Sequence, residues 1–153
     1  MALKPYLLLL TLASLLALAA TTTEHVFYVL LSSSKFYFNY RHTGNTLALY
    51  QHLKRMGVTD DRILLMLPEN HACNARNPYP GTIHFDTETK ENLYCEDIEI
   101  DYKGEDVTYE TILNLVRGRY EKHFPASKRL QSNEGMKVFI YMNGHGGENF
   151  FKI

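Results

Sequence analysis

The residues of this sequence best suited to proton transfer are a histidine and the glycines around it. A Gly-His-Gly-Gly segment, in which the histidine is His145, directly follows the apolar run 136–142. The run predicts a buried strand, and the glycines predict a tight turn at its end. Histidine titrates near neutral pH, and open α/β sheets place their chemistry at the carboxyl ends of strands. His145 is therefore a candidate acid–base residue, with a purely structural turn as the alternative.

A second cluster of residues that could take part in chemistry is the segment 36–42, where aromatic and polar residues alternate in a predicted loop. It follows another apolar run, 25–31, so in a parallel sheet it lies at the same edge as His145. The amide of Asn39 could orient an imidazole, and the guanidinium of Arg41 could bind a carboxylate. The segment is interpreted as the second wall of a cleft, with surface packing as the alternative.

The elements that must position these residues begin with a βαβ pattern. The apolar run His25–Leu31 predicts a first strand, and Arg62–Leu67 predicts a second strand that Pro68 ends. Between them, apolar residues at helical spacing predict a helix from Asn45 to Met56, with Asn45 as its cap and Gly57 as its stop. This spacing predicts a parallel strand pair with a crossover helix.

The second half of the sequence contains a long polar segment and a second helix. Residues 68–90 are rich in Asn, Pro, Gly and His and predict a loop, and residues 92–102 predict a short strand pair near an edge. A helix capped by Thr108 is predicted next, with Gly118 near its end. Its apolar face comprises Tyr109, Ile112, Leu113, Val116 and Tyr120. The pattern predicts a three-layer α/β sandwich.

Composition restricts the compartment and the class of partner. Residues 1–20 have a basic start, an apolar run and an Ala-x-Ala site, which predicts a secretory signal peptide and leaves residues 21–153 as one domain. The net charge of −1 gives no electrostatic argument for nucleic acid. The seven histidines are scattered and the two cysteines, Cys73 and Cys95, lie far apart in the sequence, so a zinc site is not expected.

Several motifs, in order, resemble one known family. They are Asn39-Tyr40-Arg41-His42, the strand residues 64–67, the segment 72–78 around Cys73, and the segment 141–147 around His145. Together they resemble the caspase-like cysteine peptidases, the family that includes legumain and the catalytic subunits of glycosylphosphatidylinositol (GPI) transamidase. Gly-His-Gly-Gly is nearer to the transamidase subunits, because legumains usually have Asp-His-Gly-Ser there. The resemblance implies a caspase-like three-layer α/β/α sandwich with a mostly parallel sheet, truncated here after the strand that carries His145.

The resemblance also implies roles for individual residues. His145 would assist a cysteine nucleophile, with Asn39 orienting it, and the backbone N–H of Gly146 would contribute to an oxyanion hole. Arg41 would line the substrate pocket. The implied reaction replaces the carboxy-terminal signal of a proprotein with a GPI lipid through a cysteine thioester, in a multisubunit complex on the lumenal side of the endoplasmic reticulum. This chemistry requires no cofactor.

The two cysteines precede His145, whereas the family's nucleophile lies on the next strand after the histidine. The chain alone is therefore expected to be inactive. The resemblance implies that Cys73 forms a disulfide with another subunit of the complex, with a free or buried thiol as the alternative; from the residues alone, Cys73 and Cys95 could also pair with each other.

The resemblance further implies a calcium site. Its ligands would be Asp60, the carbonyl of Ile63, Glu99 and Asp101, since calcium prefers oxygen ligands. Solvated acidic side chains at strand ends are the alternative interpretation.

Two other functions remain open from the sequence. One is a legumain-type asparaginyl cysteine endopeptidase, and the other is a non-catalytic module that binds transamidase partner subunits. The residues that would follow the histidine strand, with or without a cysteine, distinguish these alternatives.

Overall fold

The computed structural model describes residues 26–86, 88–95 and 97–153. The predicted signal peptide at residues 1–20 lies outside this part of the chain, as does His25. The central sheet has the strand order β3-β2-β1-β4, and every neighbouring pair is parallel. These strands are β1 (Val26–Ser32), β2 (Ile63–Leu67), β3 (Tyr102–Lys103) and β4 (Lys137–Asn143). After β4 comes a small antiparallel hairpin of β5 (Gly146–Gly147) and β6 (Phe150–Phe151).

Helices cover both faces of the sheet, which confirms the three-layer prediction. Side chains alternate between faces along a strand, so successive residues of β1 and β2 enter different cores. Leu30 and Leu65 join the core under the first helix, α1 (Tyr40–Arg55), together with Leu47. Val29 and Leu64 join the opposite core, which includes Leu115 of the second helix, α2 (Tyr109–Val116). Because both faces are covered, β2 is buried at all five positions.

The first helix begins earlier than predicted. A 3₁₀ turn at Tyr37–Asn39 leads directly into α1 at Tyr40, so the predicted start at Asn45 is wrong, as is the loop predicted for residues 40–42. The first turns of α1 are buried against the sheet, and this packing outweighs the capping signal of Asn45. The predicted stop is confirmed, because Gly57 adopts a φ of 87° just beyond the end of the helix.

The second helix is shorter than predicted. The Thr108 cap is confirmed, since its hydroxyl accepts a hydrogen bond from the N–H of Thr111 at 3.1 Å. The helix ends at Val116, and Gly118 follows with a φ of 63°, so Tyr120 lies outside it. Instead, the Tyr120 hydroxyl donates to the carbonyl of Leu115 at 3.0 Å and closes this end of the helix.

The predicted strand pair at residues 92–102 is wrong. In the part of this segment that the structure describes, Asn92 makes one isolated bridge to His84, and Tyr102 begins β3 beside β2. Side chains satisfy the backbone here, since Asn92 Oδ1 accepts hydrogen bonds from the N–H groups of Ile83 and Tyr94. The long loop predicted at 68–90 is confirmed for its described residues, 68–86 and 88–90, which include a 3₁₀ turn at His71–Cys73.

The strand that leads to His145 is β4, which the apolar run predicted to be buried. It pairs with β1 and forms the edge of the described sheet, so much of its apolar surface is exposed. Phe139 is 44% exposed and Ile140 is 45% exposed. Hydrophobicity predicts the strand correctly, but burial also depends on neighbouring elements.

Candidate active site

The site lies where the carboxyl ends of β1 and β4 meet, which confirms the sheet edge predicted for the two clusters. Ser32, the last residue of β1, is in register with Asn143, the last residue of β4. The chain continues from β1 to Asn39 and from β4 to His145. These two side chains form a hydrogen bond, with Nε2 of His145 2.8 Å from Oδ1 of Asn39.

The orientation of the Asn39 amide determines which nitrogen of His145 bears a hydrogen. The Nδ2 group of Asn39 donates to the carbonyl of Lys35 at 2.7 Å, so Oδ1 is the atom that faces the imidazole. An amide oxygen only accepts hydrogen bonds, and therefore Nε2 of His145 must be the donor. In the neutral ring, Nδ1 is then unprotonated and can accept a proton.

Glycine is required at the turn before His145 because the chain passes close to β1. A Cβ on Gly144 would lie 1.9 Å from Oγ of Ser33. Ser33 is fixed there, since its N–H donates to the carbonyl of Asn143 at 2.9 Å and its hydroxyl donates to the carbonyl of Lys152 at 2.6 Å. This contact sets the position from which the imidazole projects.

Gly146 also lies in a restricted position. It is the first residue of β5 and pairs with Phe151, and a Cβ on it would lie 2.8 Å from the carbonyl oxygen of Phe150. The backbone of the residue after the histidine is therefore held closely by the hairpin.

His42 and Asn143 form a hydrogen-bonded pair next to His145, which sequence reasoning did not single out. His42 Nδ1 lies 2.9 Å from Oδ1 of Asn143, and Asn143 Nδ2 donates to the carbonyl of His42 at 3.2 Å. The His42 ring is 8% exposed and meets the ring of His145 edge to face, with centroids 5.1 Å apart. The sequence feature that could have identified this pair is its proximity to the candidate residues, since His42 follows Asn39 by three residues and Asn143 precedes His145 by two.

Asn39 and His145 line an open cleft of about 720 Å³. Its rim includes Phe36 and Phe38, which are 67% and 73% exposed and stack with their ring centroids 6.0 Å apart. Tyr109, from the start of α2, lines it as well. The cleft is thus lined by the polar pair of Asn39 and His145 and by exposed aromatic groups.

Arg41 lies apart from this pair. It is in the first turn of α1, it is exposed, and Nη1 donates to the carbonyl of Phe38 at 3.1 Å. It is not among the residues that line the cleft with His145. Its role in substrate binding stays a prediction.

Both cysteines are exposed free thiols, and neither lines the cleft. Cys73 ends the 3₁₀ turn after β2, which leaves its thiol accessible for a disulfide with another chain. Cys95 lies on the loop beside Gln51. Partial burial, with Asp97 and Glu91 nearby, raises the pKa of the Cys95 thiol and disfavours its thiolate.

Two of the four predicted calcium ligands, Asp60 and Asp101, accept hydrogen bonds from other groups of the protein. The carboxylate of Asp60 accepts hydrogen bonds from Tyr50 at 2.6 Å and from the ammonium of Lys54 at 2.5 Å. Asp101 accepts from the N–H of Leu65 at 2.8 Å. Within the described residues, no group of three or more His, Cys, Asp or Glu side chains could hold a metal. Calcium binding stays a prediction.

Burial controls the protonation of Asp101, which is 6% exposed. Desolvation raises the pKa of this carboxyl to about 7, and Glu99 adds to the effect, while the hydrogen bond from Leu65 opposes it. This carboxyl therefore titrates near neutral pH in the folded protein.

A parallel α/β sheet with an oriented histidine at a strand end is consistent with a caspase-like fold. The family model of the Peptidase C13 family matches residues 26–153. The chain belongs to this family, which consists of cysteine-peptidase-type enzymes.

Curated relatives agree with this assignment. The chain is 47% identical over 147 residues to the GPI-anchor transamidase of Schizosaccharomyces pombe, an alignment that covers 96% of this chain and 38% of that protein. It is 44% identical over 134 residues to the GPI-anchor transamidase of Saccharomyces cerevisiae, covering 88% and 32%. It is 46% identical over 125 residues to the mouse GPI-anchor transamidase, covering 82% and 32%. The chain thus spans between 32% and 38% of the length of these three proteins.

Proposed function

We propose that this chain is the amino-terminal part of a GPI transamidase catalytic subunit and that His145 is its proton-transfer residue. The similarity to GPI-anchor transamidases of yeasts and mouse supports the reaction. The hydrogen bond between Asn39 and His145 supports the role of the imidazole, because it leaves Nδ1 available as a base.

In the first half of the proposed reaction, Nδ1 of His145 accepts the proton of a cysteine thiol. The thiolate attacks the carbonyl carbon of a small residue in the proprotein, and the oxyanion that forms is stabilised by the backbone N–H of Gly146. The tetrahedral intermediate expels the amine of the carboxy-terminal signal, which takes the proton from His145. The products are a thioester between the proprotein and the cysteine, and the released carboxy-terminal signal.

In the second half, the ethanolamine amine of a GPI lipid attacks the thioester carbonyl. His145 accepts a proton from the attacking amine and returns it to the departing thiolate, so an amide bond forms and the thiol is regenerated. Exclusion of water from the cleft would separate this transfer from hydrolysis. Asn39 keeps its hydrogen bond with Nε2–H of His145 in both halves, so Nδ1 is the nitrogen that gains and loses the transferred proton.

The proposed nucleophile is a cysteine thiol in the region of the relatives that this chain does not span. Cys73 and Cys95 both lie outside the cleft, so this chain alone is predicted to turn over no substrate.

The proposed setting is a multisubunit complex at the lumenal face of the endoplasmic reticulum, with Cys73 in a disulfide with a partner subunit. The exposed thiol of Cys73 supports this role. No helix in the described part of the chain is long and apolar enough to cross a membrane.

The test is a chimera in which residues 26–153 replace the matching region of the S. pombe relative, in cells that lack that relative. We expect the chimera to attach GPI anchors to a reporter proprotein. His145→Ala should lower the rate of attachment by about 10²- to 10⁴-fold, the usual contribution of a positioned acid–base group.

The matched control is His52→Ala, since His52 is an exposed histidine of α1 that lies away from the cleft. This variant should keep the rate of the unmodified chimera. A well-expressed chimera without anchor attachment would contradict the proposed function, and an active His145→Ala variant would contradict the role of the imidazole.

A further inference from the structure

The backbone just before Asn39 is in a conformation that few side chains adopt. Phe36 has a φ of 70° and a ψ of 145°, a region occupied almost only by glycine. Its ring is 67% exposed, so burial of the side chain does not account for the conformation. Such a residue persists only where its surroundings hold it, and the groups that hold Phe36 are therefore informative.

Two residues of the loop after β2 hold both polar groups of the Phe36 backbone. The carboxylate of Glu69 accepts a hydrogen bond from the N–H of Phe36. Nε2 of His71 lies 3.0 Å from the carbonyl oxygen of Phe36 and must be the donor, since a carbonyl only accepts. His71 is fully buried, and Oγ1 of Thr43 lies 2.8 Å from its Nδ1. In the neutral ring the Thr43 hydroxyl thus donates to Nδ1 and fixes this tautomer.

The held carbonyl of Phe36 is also the anchor of Asn39. The N–H of Asn39 donates to the same oxygen at 2.9 Å, and the Asn39 amide donates to the carbonyl of the preceding residue, Lys35, at 2.7 Å. The backbone of Asn39 therefore depends on the Phe36–Tyr37 peptide that His71 holds, and its side chain depends on the adjoining Lys35–Phe36 peptide, whose N–H Glu69 holds. No step of the proposed reaction uses His71, although it is the most completely buried histidine in the described residues.

We propose that His71 is a positioning residue of this site. It holds Phe36 in the left-handed region, and the conformation of Phe36 in turn places Asn39 against His145. Glu69 assists it by accepting from the N–H of Phe36, in the preceding peptide, whose Lys35 carbonyl accepts from the Asn39 amide. The inference rests on the proposed function for its activity readout, but not for its geometry.

The test uses the fact that glycine adopts the Phe36 conformation without strain, whereas alanine does not. In the chimera, His71→Leu should lower anchor attachment by about ten- to a hundredfold, and by the same factor when Phe36→Ala is also present. When Phe36→Gly is present instead, His71→Leu should cost about threefold or less. A role of His71 in packing alone would give equal losses in both backgrounds.

Full activity of His71→Leu, or equal losses with Phe36→Ala and Phe36→Gly, would overturn the proposal. If His71→Leu does not accumulate in cells, Glu69→Ala replaces it in the same comparison, because the Glu69 side chain is partly exposed and its removal leaves the core intact. An active chimera that His145→Ala inactivates, without this pattern, would refute the role of His71 and leave the proposed function standing.

A chimera without activity would instead refute the proposed function, and nitrogen-15 spectra of the full chain then test the positioning directly. The unmodified chain should show His145 with its hydrogen on Nε2 only. His71→Leu should give a mixture of both tautomers, and a tautomer unchanged by the substitution would overturn the proposal.

Discussion

Replacement of Gly144 by alanine should destabilise the protein because the new Cβ would lie 1.9 Å from Oγ of Ser33. The hydroxyl must rotate away, which breaks its 2.6 Å hydrogen bond to the carbonyl of Lys152 and costs about 1 kcal/mol. The added methyl would still lie 3.2 Å from Cβ of Ser33 and from Cζ of Phe151. Overpacking of this kind costs about 1–3 kcal/mol, so the total is about 2–4 kcal/mol.

The measurement is urea denaturation of the full chain, with the midpoint expected to fall at an unchanged slope. In thermal unfolding the loss corresponds to about 8–16 °C for a domain of this size. Gly44→Ala is the matched control, because Gly44 lies inside α1 and an added Cβ would meet its nearest neighbour, the carbonyl of His84, at 3.5 Å. That variant should be more stable than the unmodified chain by up to about 1 kcal/mol, from helix propensity.

A double-mutant cycle identifies the cause. In a Ser33→Ala background the oxygen is absent and its hydrogen bond is already lost, so Gly144→Ala should cost about 1 kcal/mol less than in the unmodified chain. The steric argument is refuted if the cost is the same in both backgrounds, or if Gly144→Ala and Gly44→Ala shift the midpoint alike.

Three further predictions concern other residues. Asn143→Ala removes the hydrogen bond to Nδ1 of the buried His42 ring and the one donated to the His42 carbonyl, so the urea midpoint should fall by the equivalent of about 1–3 kcal/mol; an unchanged midpoint would show that the pair does not stabilise β4. Burial raises the pKa of Asp101 to about 7, so between about pH 4 and 7 the folded state binds more protons than the unfolded state. The free energy of unfolding should therefore fall as pH rises from about 4 to about 7, by at most about 4 kcal/mol. Asp101→Asn should flatten this pH dependence in urea titrations, and identical pH profiles of the two proteins would contradict the prediction. Non-reducing gels of the assembled complex should show a larger species that Cys73→Ser abolishes and Cys95→Ser does not, and a species that survives Cys73→Ser would place the bridge elsewhere.

The sequence predicted the elements whose signals are local and strong. The apolar run before Ser32, the glycine after α1 and the Thr108 cap each appear in the structure as expected. Elements determined by distant packing were predicted less well. The start of α1 at Tyr40 depends on burial against the sheet, and the exposure of Ile140 depends on β4 lying at an edge.

For the candidate site, the sequence predicted that Asn39 and His145 lie close together. Asn39 and His145 were placed together by the rule that parallel strands end at one edge, helped by a family resemblance, and the structure brings them within 2.8 Å. His42 and His71 were not singled out, because their importance arises from hydrogen bonds to Asn143 and to the carbonyl of Phe36. Such contacts depend on side-chain orientation, which residue type and spacing do not specify.

The strand order of the sheet has a consequence for how the molecule folds. The β1–β2 pairing joins Leu30 to Leu65, whereas the β1–β4 pairing joins Leu30 to Tyr141, so the second pairing closes a loop about three times as long. The longer closure costs about 1 kcal/mol more in chain entropy. The unit of β1, α1 and β2 can therefore form first, and β4 then pairs later with the open edge of β1. Since Asn39 belongs to the early unit and His145 follows the late strand β4, their hydrogen bond reports the last stage of folding.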